Sequence, residues 1–429
     1  MTPHADRSPC RPRLARVAGL LLSAAIAAPA LAQPQDTPSP LRLSGYGTAG
    51  LVWSSVDAPW SFRRDVLQPG TGRGVQTRVD SRLGLQANLA LPHDLEAVVQ
   101  GVLKPQAADA DWTQHVEWAF LAWRPLPDVT VRAGRVSNDT FLASEYRNVG
   151  FAYPWVRPNM EFYGWTPLPS LDGADAVKEW RLGSARWRVK VMAGQSDLAV
   201  PTVPGQTLDF HARNAFGIAV SREAGGLLLK FSHVRMDLHF SGSTDLAPVV
   251  NTLRAIENDP LAPPTMQAEA RALRESMPVG EFPGRFTTLS VQYTGGPWLA
   301  QAELSHSDSN AAGPNDWHAY GAVAWRFAPF TVFGMAGRAK PDGDTARTPT
   351  TWPAPLARVG GVAALTANLA RVDQRSVSAG LRWDFHPQAA AKFQVDHFKV
   401  HPTGSGLWAD ADFSPRSANV LSVVIDTVF

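Results

Sequence analysis

The sequence predicts an all-β protein, a sixteen-stranded antiparallel transmembrane β-barrel with long external loops. Apolar and polar residues alternate with a period of two in sixteen segments, which is typical of strands with two different faces. Tight turns alternate along the chain with long connections, as in barrels whose hairpins are short on one side. After the first 32 residues, no run approaches the roughly 18 apolar residues that a membrane helix needs. A spanning sheet must therefore close on itself, because lipid offers its edges no hydrogen-bond partners.

The N-terminal residues 1–32 have the composition of a secretory signal peptide. Four arginines precede the apolar run Val17–Ala28, and Ala30-Leu31-Ala32 fits a small-x-small cleavage site. Residues 33–40 are predicted to be a short periplasmic linker and residues 41–429 the barrel. The single cysteine, Cys10, leaves with the signal, so disulfides do not close this fold.

The charge balance argues against a nucleic-acid partner. The whole chain has 40 basic and 38 acidic residues. Residues 1–32 contain four arginines and one aspartate, so the mature chain has 36 basic and 37 acidic residues. A nearly neutral protein lacks the basic surface that nucleic-acid binding requires.

Five strands are predicted before a long segment without alternation, residues 137–174, and eleven after it. The first five span residues 41–54, 77–91, 95–104, 114–124 and 129–136. The others span residues 175–183, 186–195, 211–223, 226–236, 285–295, 298–307, 316–328, 330–339, 374–386, 389–400 and 417–429. Helix-like stretches at 249–277 and 361–372 fall in long connections, and we assign them to external loops.

Tryptophans on the apolar faces indicate an interfacial belt of aromatic side chains. The residues concerned are Trp53, Trp118, Trp187, Trp298, Trp317, Trp325 and Trp383.

The last strand also points to the outer membrane. Leu421, Val423, Ile425, Thr427 and Phe429 share one face, and the chain stops on the aromatic ring. This ending resembles the closing strand of Gram-negative outer-membrane barrels, although Thr427 stands where an aromatic or aliphatic residue is more usual. The resemblance implies that Phe429 is a membrane anchor and an assembly signal, through which the barrel assembly machinery binds the C-terminal strand.

The layout of the mature chain resembles the general porins. In that family the long loop after strand five, here residues 137–174, folds into the lumen. Its Met160-Glu161-Phe162-Tyr163-Gly164 is loosely similar to the acidic-aromatic-glycine stretch of the porin loop, and Arg132-Ala133-Gly134-Arg135 also resembles a porin motif. The resemblance implies a passive channel for ions and small hydrophilic solutes, a homotrimer, and contact with outer-membrane lipid and lipopolysaccharide.

The resemblance and the predicted strand faces together predict a charged constriction, since opposed charges in a narrow aqueous passage select ions. Arg78, Arg82 and Arg132 are expected on the wall, with Glu145, Glu161, Asp172 and Asp175 opposing them. Arg147 and Arg157 are expected to adjust the sign of the field. Asp80, Glu117 and Arg135 complete the predicted set.

Residues predicted to face inward are basic in excess, which favours a modest anion preference. Thirteen are basic: Arg42, Arg78, Arg82, Lys104, Arg132, Arg181, Arg188, Lys190, Arg213, Lys230, Arg326, Arg382 and Lys392. Eight are acidic: Asp80, Glu96, Glu117, Glu179, Glu303, Asp384, Asp396 and Asp426.

Other functions stay open at this point. A solute-selective channel would use the aromatic residues of the long loop, such as Tyr153, Trp155 and Tyr163. An outer-membrane hydrolase would need a nucleophile beside a histidine, but neither G-x-S-x-G nor H-E-x-x-H occurs. A soluble secreted β-sandwich is a further alternative. We expect no enzyme activity, no cofactor and no metal site.

Overall fold

The computed structural model describes residues 39–56, 61–68, 70, 74–105, 112–165, 168–201, 207–242, 246–278, 280–309, 315–368, 371–401, 407–408 and 416–429. The predicted signal peptide and all but the last two residues of the predicted linker lie outside these residues.

Sixteen antiparallel strands form one closed barrel, which confirms the predicted fold class. The strands are β1 (Leu41–Ser54), β2 (Arg82–Leu91), β3 (Leu95–Pro105), β4 (Trp112–Leu126), β5 (Val129–Ser137), β6 (Ser170–Leu182), β7 (Ala185–Pro201), β8 (Thr207–Ala224), β9 (Leu227–Gly242), β10 (Glu281–Gly295), β11 (Trp298–Asp308), β12 (Asp316–Phe327), β13 (Phe330–Pro341), β14 (Gln374–His386), β15 (Ala389–Val400) and β16 (Arg416–Val428). Each strand pairs with the next, and β1 pairs with β16 from Tyr46↔Val428 to Ser54↔Val420. A two-residue strand, Val75–Gln76, adds to the end of β1.

The alternation in β16 shows why the sheet closes with an apolar outside. Leu421, Val423 and Ile425 point outward and are 38%, 47% and 42% exposed, whereas Ser422 and Asp426 point into the lumen and are fully buried. A pleated strand separates the two sets without further cost. The predicted two faces of this strand are confirmed.

Short turns and long connections lie at opposite ends of the barrel. The turn between β2 and β3 uses His93 and Asp94 with φ of 63° and 58°, and that between β8 and β9 uses Gly225 and Gly226 with φ of 58° and 80°. Such left-handed positions favour two-residue hairpins. Both β1 and β16 have their chain-terminal ends on the short-turn side.

Among the described residues, three helices of more than ten residues occupy the long connections, near the stretches that the sequence predicts. They are α2 (Ala247–Asn258), α3 (Pro264–Ser276) and α4 (Ala354–Asn368), and α1 (Met160–Tyr163) is one turn between β5 and β6. Leu253, Leu273 and Ala363 pack the three together. Among the described residues, no helix has the length and hydropathy needed to cross a membrane.

Aromatic rings line the outer face, five of them on predicted tryptophans. Trp53, Trp298, Trp317, Trp325 and Trp383 are between 39% and 49% exposed.

The other two predicted tryptophans differ from these five. Trp187 is half-buried because it stacks on Trp180 at 6.3 Å. Trp118 is misassigned: a register shift beside it in β4 places it opposite Gln100, whose buried side chain faces the lumen.

Several strand boundaries also differ from the prediction, and two of these differences change the residues assigned to the lumen. β2 begins at Arg82 rather than Thr77, and the apolar Val79 before it is buried in a cluster inside the barrel instead of facing outward. β6 begins at Ser170 rather than at 175, because its pairing with β5 continues to Ser137↔Ser170.

Candidate functional site: a loop packed inside the lumen

The connection between β5 and β6, residues 138–169, crosses the inside of the barrel and is called the lumen loop here. All its residues from 153 to 165 are buried. On one side the Arg82 Nε of β2 donates to the Asn148 carbonyl at 2.5 Å, and on the other the Ser232 Oγ of β9 donates to the Thr140 carbonyl at 2.5 Å. β2 and β9 are seven strands apart in a ring of sixteen. The loop therefore reaches nearly opposite walls, which confirms that it folds into the lumen.

Arg157 ties the lumen loop to three separate parts of the wall. Its guanidinium contacts both Asp80 carboxylate oxygens at 2.6 and 3.1 Å, Asp396 Oδ2 of β15 at 2.8 Å and Ser422 Oγ of β16 at 2.5 Å. The side chain is 2% exposed. Its five donors and planar shape suit a buried site with two carboxylates, so Arg157 and Asp80 act as a structural link within the predicted constriction.

The charges in this link stabilise one another against burial. Burial alone would raise the pKa of Asp80, but the charge and hydrogen bonds of Arg157 outweigh it, and the net pKa is lowered. Burial alone would lower the pKa of Arg157. The charges and hydrogen bonds of Asp80 and Asp396 outweigh burial, and the net pKa is raised. Both groups stay charged because neither is buried alone.

A second cluster of charges, called the Glu145 cluster, surrounds the start of the lumen loop. It consists of the three acids Asp139, Glu145 and Asp175 with the four cations Arg132, Arg188, Lys190 and Lys230. Arg132 binds Asp175 at 2.6 Å and Glu145 at 3.4 Å, and Lys190 binds Asp175 at 3.3 Å and Glu145 at 3.4 Å. Asp139 binds Arg188 at 2.6 Å and Lys230 at 2.5 Å. Arg188 also binds Glu179 of β6 at 3.5 Å, so the four cations are matched by four carboxylates.

Glu145 is the member of this cluster with the most exposed carboxylate, at 38% of its side chain, whereas Asp139 and Asp175 are at 6% and 0%. Burial and the charge of Asp139 raise the pKa of Glu145. The charges of Lys190, Arg132 and Arg188 lower it by more, so the net pKa lies below its usual value. Glu145 therefore presents a carboxylate to water beside several cations.

Glu161 holds the opposite end of the loop and does not reach open solvent. Its carboxylate is 0% exposed and accepts from Asn159 Nδ2 at 3.0 Å, Gln374 Nε2 at 2.7 Å and Ser376 Oγ at 2.7 Å. Burial raises its pKa despite these hydrogen bonds. Its backbone carbonyl contacts His318 Nδ1 at 2.7 Å. Glu161 thus fastens the turn α1 to β12 and β14.

Aromatic side chains of the loop pack on inward-facing residues of the wall. Phe162 contacts Phe141 with ring centroids 5.0 Å apart and Tyr320 of β12 at 5.2 Å, and Trp155 contacts Phe333 of β13 at 6.3 Å. Aromatic pairs at these distances add to the free energy of burial. On this side of the lumen, the loop and the wall form a hydrophobic cluster.

The remaining predicted residues of this region are mostly buried as well. Arg82 is 3% exposed and also contacts Tyr153 Oη at 3.3 Å. Glu117 of β4 is 7% exposed and binds Lys104 of β3 at 3.6 Å. Arg147 is 9% exposed, and its carbonyl accepts from Arg64 at 2.7 Å. A cavity of about 10 Å³ between Arg64, Arg82 and Lys104 has room for about one water.

Two predicted residues, Arg135 and Asp172, do not lie in the lumen. Arg135 and Asp172 form a bidentate pair, with both distances 2.7 Å, on the outer face of β5 and β6. Gln195 of β7 lies opposite Asp172 in the strand register and is exposed as well. The early start of β6 places Asp172 in a strand and therefore on a defined face. Arg78 precedes β2 and is exposed.

The sequence reasoning missed Asp139, which holds Arg188 and Lys230. Nothing in its neighbourhood distinguishes it from a solvated loop aspartate, since its partners lie on β7 and β9, 49 and 91 residues away. It also missed the pair between Lys392 and Asp426, 2.8 Å apart and fully buried. In that case the inward position was recognisable from alternation. Among the described residues, no group of histidine, cysteine, aspartate and glutamate could hold a metal ion.

Comparisons with known proteins agree on the fold. No protein-family model matches the sequence, and no curated protein is similar to it. Among solved structures, an anion-selective porin from Comamonas acidovorans matches with a TM-score of 0.53 and 11% identity over 91% of this chain and 99% of the other. OmpF from Salmonella typhi, in complex with daunomycin, matches with a TM-score of 0.52 and 10% identity over 91% of this chain and 97% of the other. With the closed barrel and its lumen loop, these matches show that the chain has the fold of outer-membrane porins.

Proposed function

We propose that the protein is an outer-membrane channel through which ions and small hydrophilic solutes diffuse passively. The observation that carries this proposal is the Glu145 cluster, which places opposed charges inside a closed barrel where part of Glu145 meets water. Opposed charges at a narrow point orient polar solutes and select ions. The apolar outer face supports a membrane location, and the predicted signal peptide supports export.

A modest anion preference is part of the proposal. Arg132 and Arg188 of the Glu145 cluster keep 16% and 24% of their side chains exposed, and a low-dielectric tube concentrates the potential of such cations. The fold is shared with a porin described as anion-selective. We further propose a homotrimer, assembly through Phe429 of the C-terminal strand by the barrel assembly machinery, and surrounding lipid and lipopolysaccharide.

A solute-selective channel is the second candidate, and the path of the lumen loop favours it. The lumen loop contacts both β2 and β9, on nearly opposite walls. It therefore leaves a smaller open cross-section than a loop held against one wall would leave. The aromatic rings Tyr146 and Phe151 are half-buried rather than fully covered. Arg382 lies 4.6 Å over one face of Phe151, so Tyr146 and the uncovered part of Phe151 offer flat surfaces to a cyclic or aromatic solute.

The experiment is conductance in planar bilayers, with reversal potentials measured across a salt gradient. We expect current with an anion preference, and we expect Glu145→Gln to increase that preference because it removes the exposed carboxylate. Glu275→Gln on the external helix α3 is the control and is expected to leave the reversal potential unchanged. Protein that passes no current would reject the channel. Candidate solutes that block at low concentration would favour the selective form.

A further inference from the structure

Three basic residues form a row across adjacent strands on the outer face of the barrel. Arg338 of β13 lies opposite Arg375 of β14, and Arg375 lies opposite Lys399 of β15. These three residues are called the basic row. Lys340, two residues beyond Arg338 on the same face, adds a fourth cation. Like charges directly opposite each other destabilise a sheet, so a bound anion would stabilise a row of three cations.

Carboxylates of the protein neutralise only part of this positive charge. Asp373 binds Arg338 at 2.6 Å, and the nearby Asp342 contacts His306 at 3.4 Å. Arg375 and Lys399 are exposed and have no hydrogen bond or ion pair with the described residues. The row therefore keeps donors and positive charge available to a ligand.

The other long strands manage their charges differently at the same end of the barrel. On the outer face of β7 and β8, Asp197 binds Arg213 at 2.6 Å and His211 at 2.6 Å. On β10 and β11, Arg285 binds Asp308 at 2.9 Å. Arg235 of β9 lies opposite Arg285, so two opposed cations there share the carboxylate of Asp308, whereas the face of β13, β14 and β15 has three opposed cations in a row.

The height of the basic row corresponds to the edge of a membrane. Arg375 precedes Phe385, an outward-facing aromatic residue beside the short turn, by ten residues in β14. Ten residues rise about 33 Å along a strand, or roughly 25 Å along the axis at a tilt near 40°. The outward residues between them are Val377, Ala379, Leu381 and Trp383. An apolar band of about 25 Å separates the two interfaces of such barrels, so the row lies at the headgroup level on the side of the long loops.

We propose that the basic row binds the phosphate of a lipid headgroup in the outer leaflet. Planar guanidinium groups bind phosphate oxygens in pairs, and the apolar face directly below would hold the acyl chains. The proposal rests on the proposed membrane location but not on conduction. The ligand class is a phosphorylated lipid, with its phosphate at the row and its chains along Val377 and its neighbours.

The test measures lipid binding to the purified barrel in detergent by native mass spectrometry. The probes are bisphosphorylated lipid A, the same lipid without phosphates, and inorganic phosphate. Arg375→Gln with Lys399→Gln removes two unpaired charges, and we expect roughly thirtyfold weaker binding of the phosphorylated lipid. Lys178→Gln with Arg222→Gln is the matched control, since it removes two outer-face cations at the short-turn end.

Folding of each variant is checked by heat-modifiable gel migration, and conductance is recorded separately. The proposal is supported if the phosphorylated lipid binds the wild type and the control but binds the Arg375 and Lys399 variant weakly, whether or not current flows. It is overturned if both double variants weaken binding equally, or if the lipid without phosphates binds as tightly. It is also overturned if inorganic phosphate binds and the lipid does not.

Discussion

Replacing Arg157 with methionine is expected to release the lumen loop without opening the barrel. Methionine keeps an unbranched apolar stem but has no guanidinium, so Asp80 and Asp396 stay buried, with exposures of 1% and 2%, and without their cation. Breaking a buried ion pair from one side costs about 3–5 kcal/mol. A cost of about 4 kcal/mol changes the ratio of attached to released loop by roughly a thousandfold.

Single-channel recording tests this expectation, because a released loop widens the passage. We expect Arg157→Met to give a larger and noisier conductance, while the heat-modifiable migration of the barrel persists because the strand ladder is unchanged. Arg285→Met is the matched control. Its ion pair with Asp308 is exposed, at 50% and 40% of the two side chains, and exposed pairs contribute little to stability.

A triple variant separates lost anchoring from a general loss of structure. Combining Arg157→Met with Asp80→Asn and Asp396→Asn removes the uncompensated charges and should restore part of the wild-type conductance. If Arg157→Met and Arg285→Met conduct alike, the link between Arg157 and the wall does not hold the loop, and the reasoning fails.

Three further predictions concern the loop contacts and the chain end. Arg82→Ala should raise conductance, because Asn148 loses its anchor on β2, yet shift the reversal potential less than Glu145→Gln does; a larger shift would place Arg82 in the passage. The lowered pKa of Glu145 means that its ion pairs stabilise the attached loop above the usual value of 4.5 and lose this effect as the pH falls below it. Conductance should therefore be constant from pH 7 to about pH 4.5 and rise below that; a change between pH 7 and 5 would implicate another group. Deleting Phe429 should reduce the heat-modifiable barrel recovered from outer membranes, and undiminished recovery would remove its assembly role.

Alternation was sufficient to predict the sheet and its two faces. In β16 it separated Val423 from Ser422 correctly, because lipid and water impose a period of two on a spanning strand. It failed where the strand limits were misplaced. Asp172 was assigned to the loop, but β6 begins at Ser170, and the pleat then fixes Asp172 on the outer face with Arg135.

The contacts of the lumen loop could not be predicted in the same way. Arg157 meets Asp80, Asp396 and Ser422, which are 77, 239 and 265 residues away in sequence. Only the closure of the barrel and the path of the loop bring these residues together. Periodicity describes the environment of a side chain on each strand, but it carries no information about which charge meets which across a lumen.

The difference between the face on which a charge lies and the partner it meets also decides how the charge of the lumen should be counted. An excess of inward-facing cations predicts anion preference only if those cations face the passage. Lys190, Lys230 and Lys392 are buried, and each lies within 3.3 Å of an aspartate. Their charges stabilise the loop and the wall rather than the ions that pass. Selectivity should therefore depend on the charges that water reaches, and Glu145, with 38% of its side chain exposed beside Arg132 and Lys190, is the residue whose neutralisation should change it most.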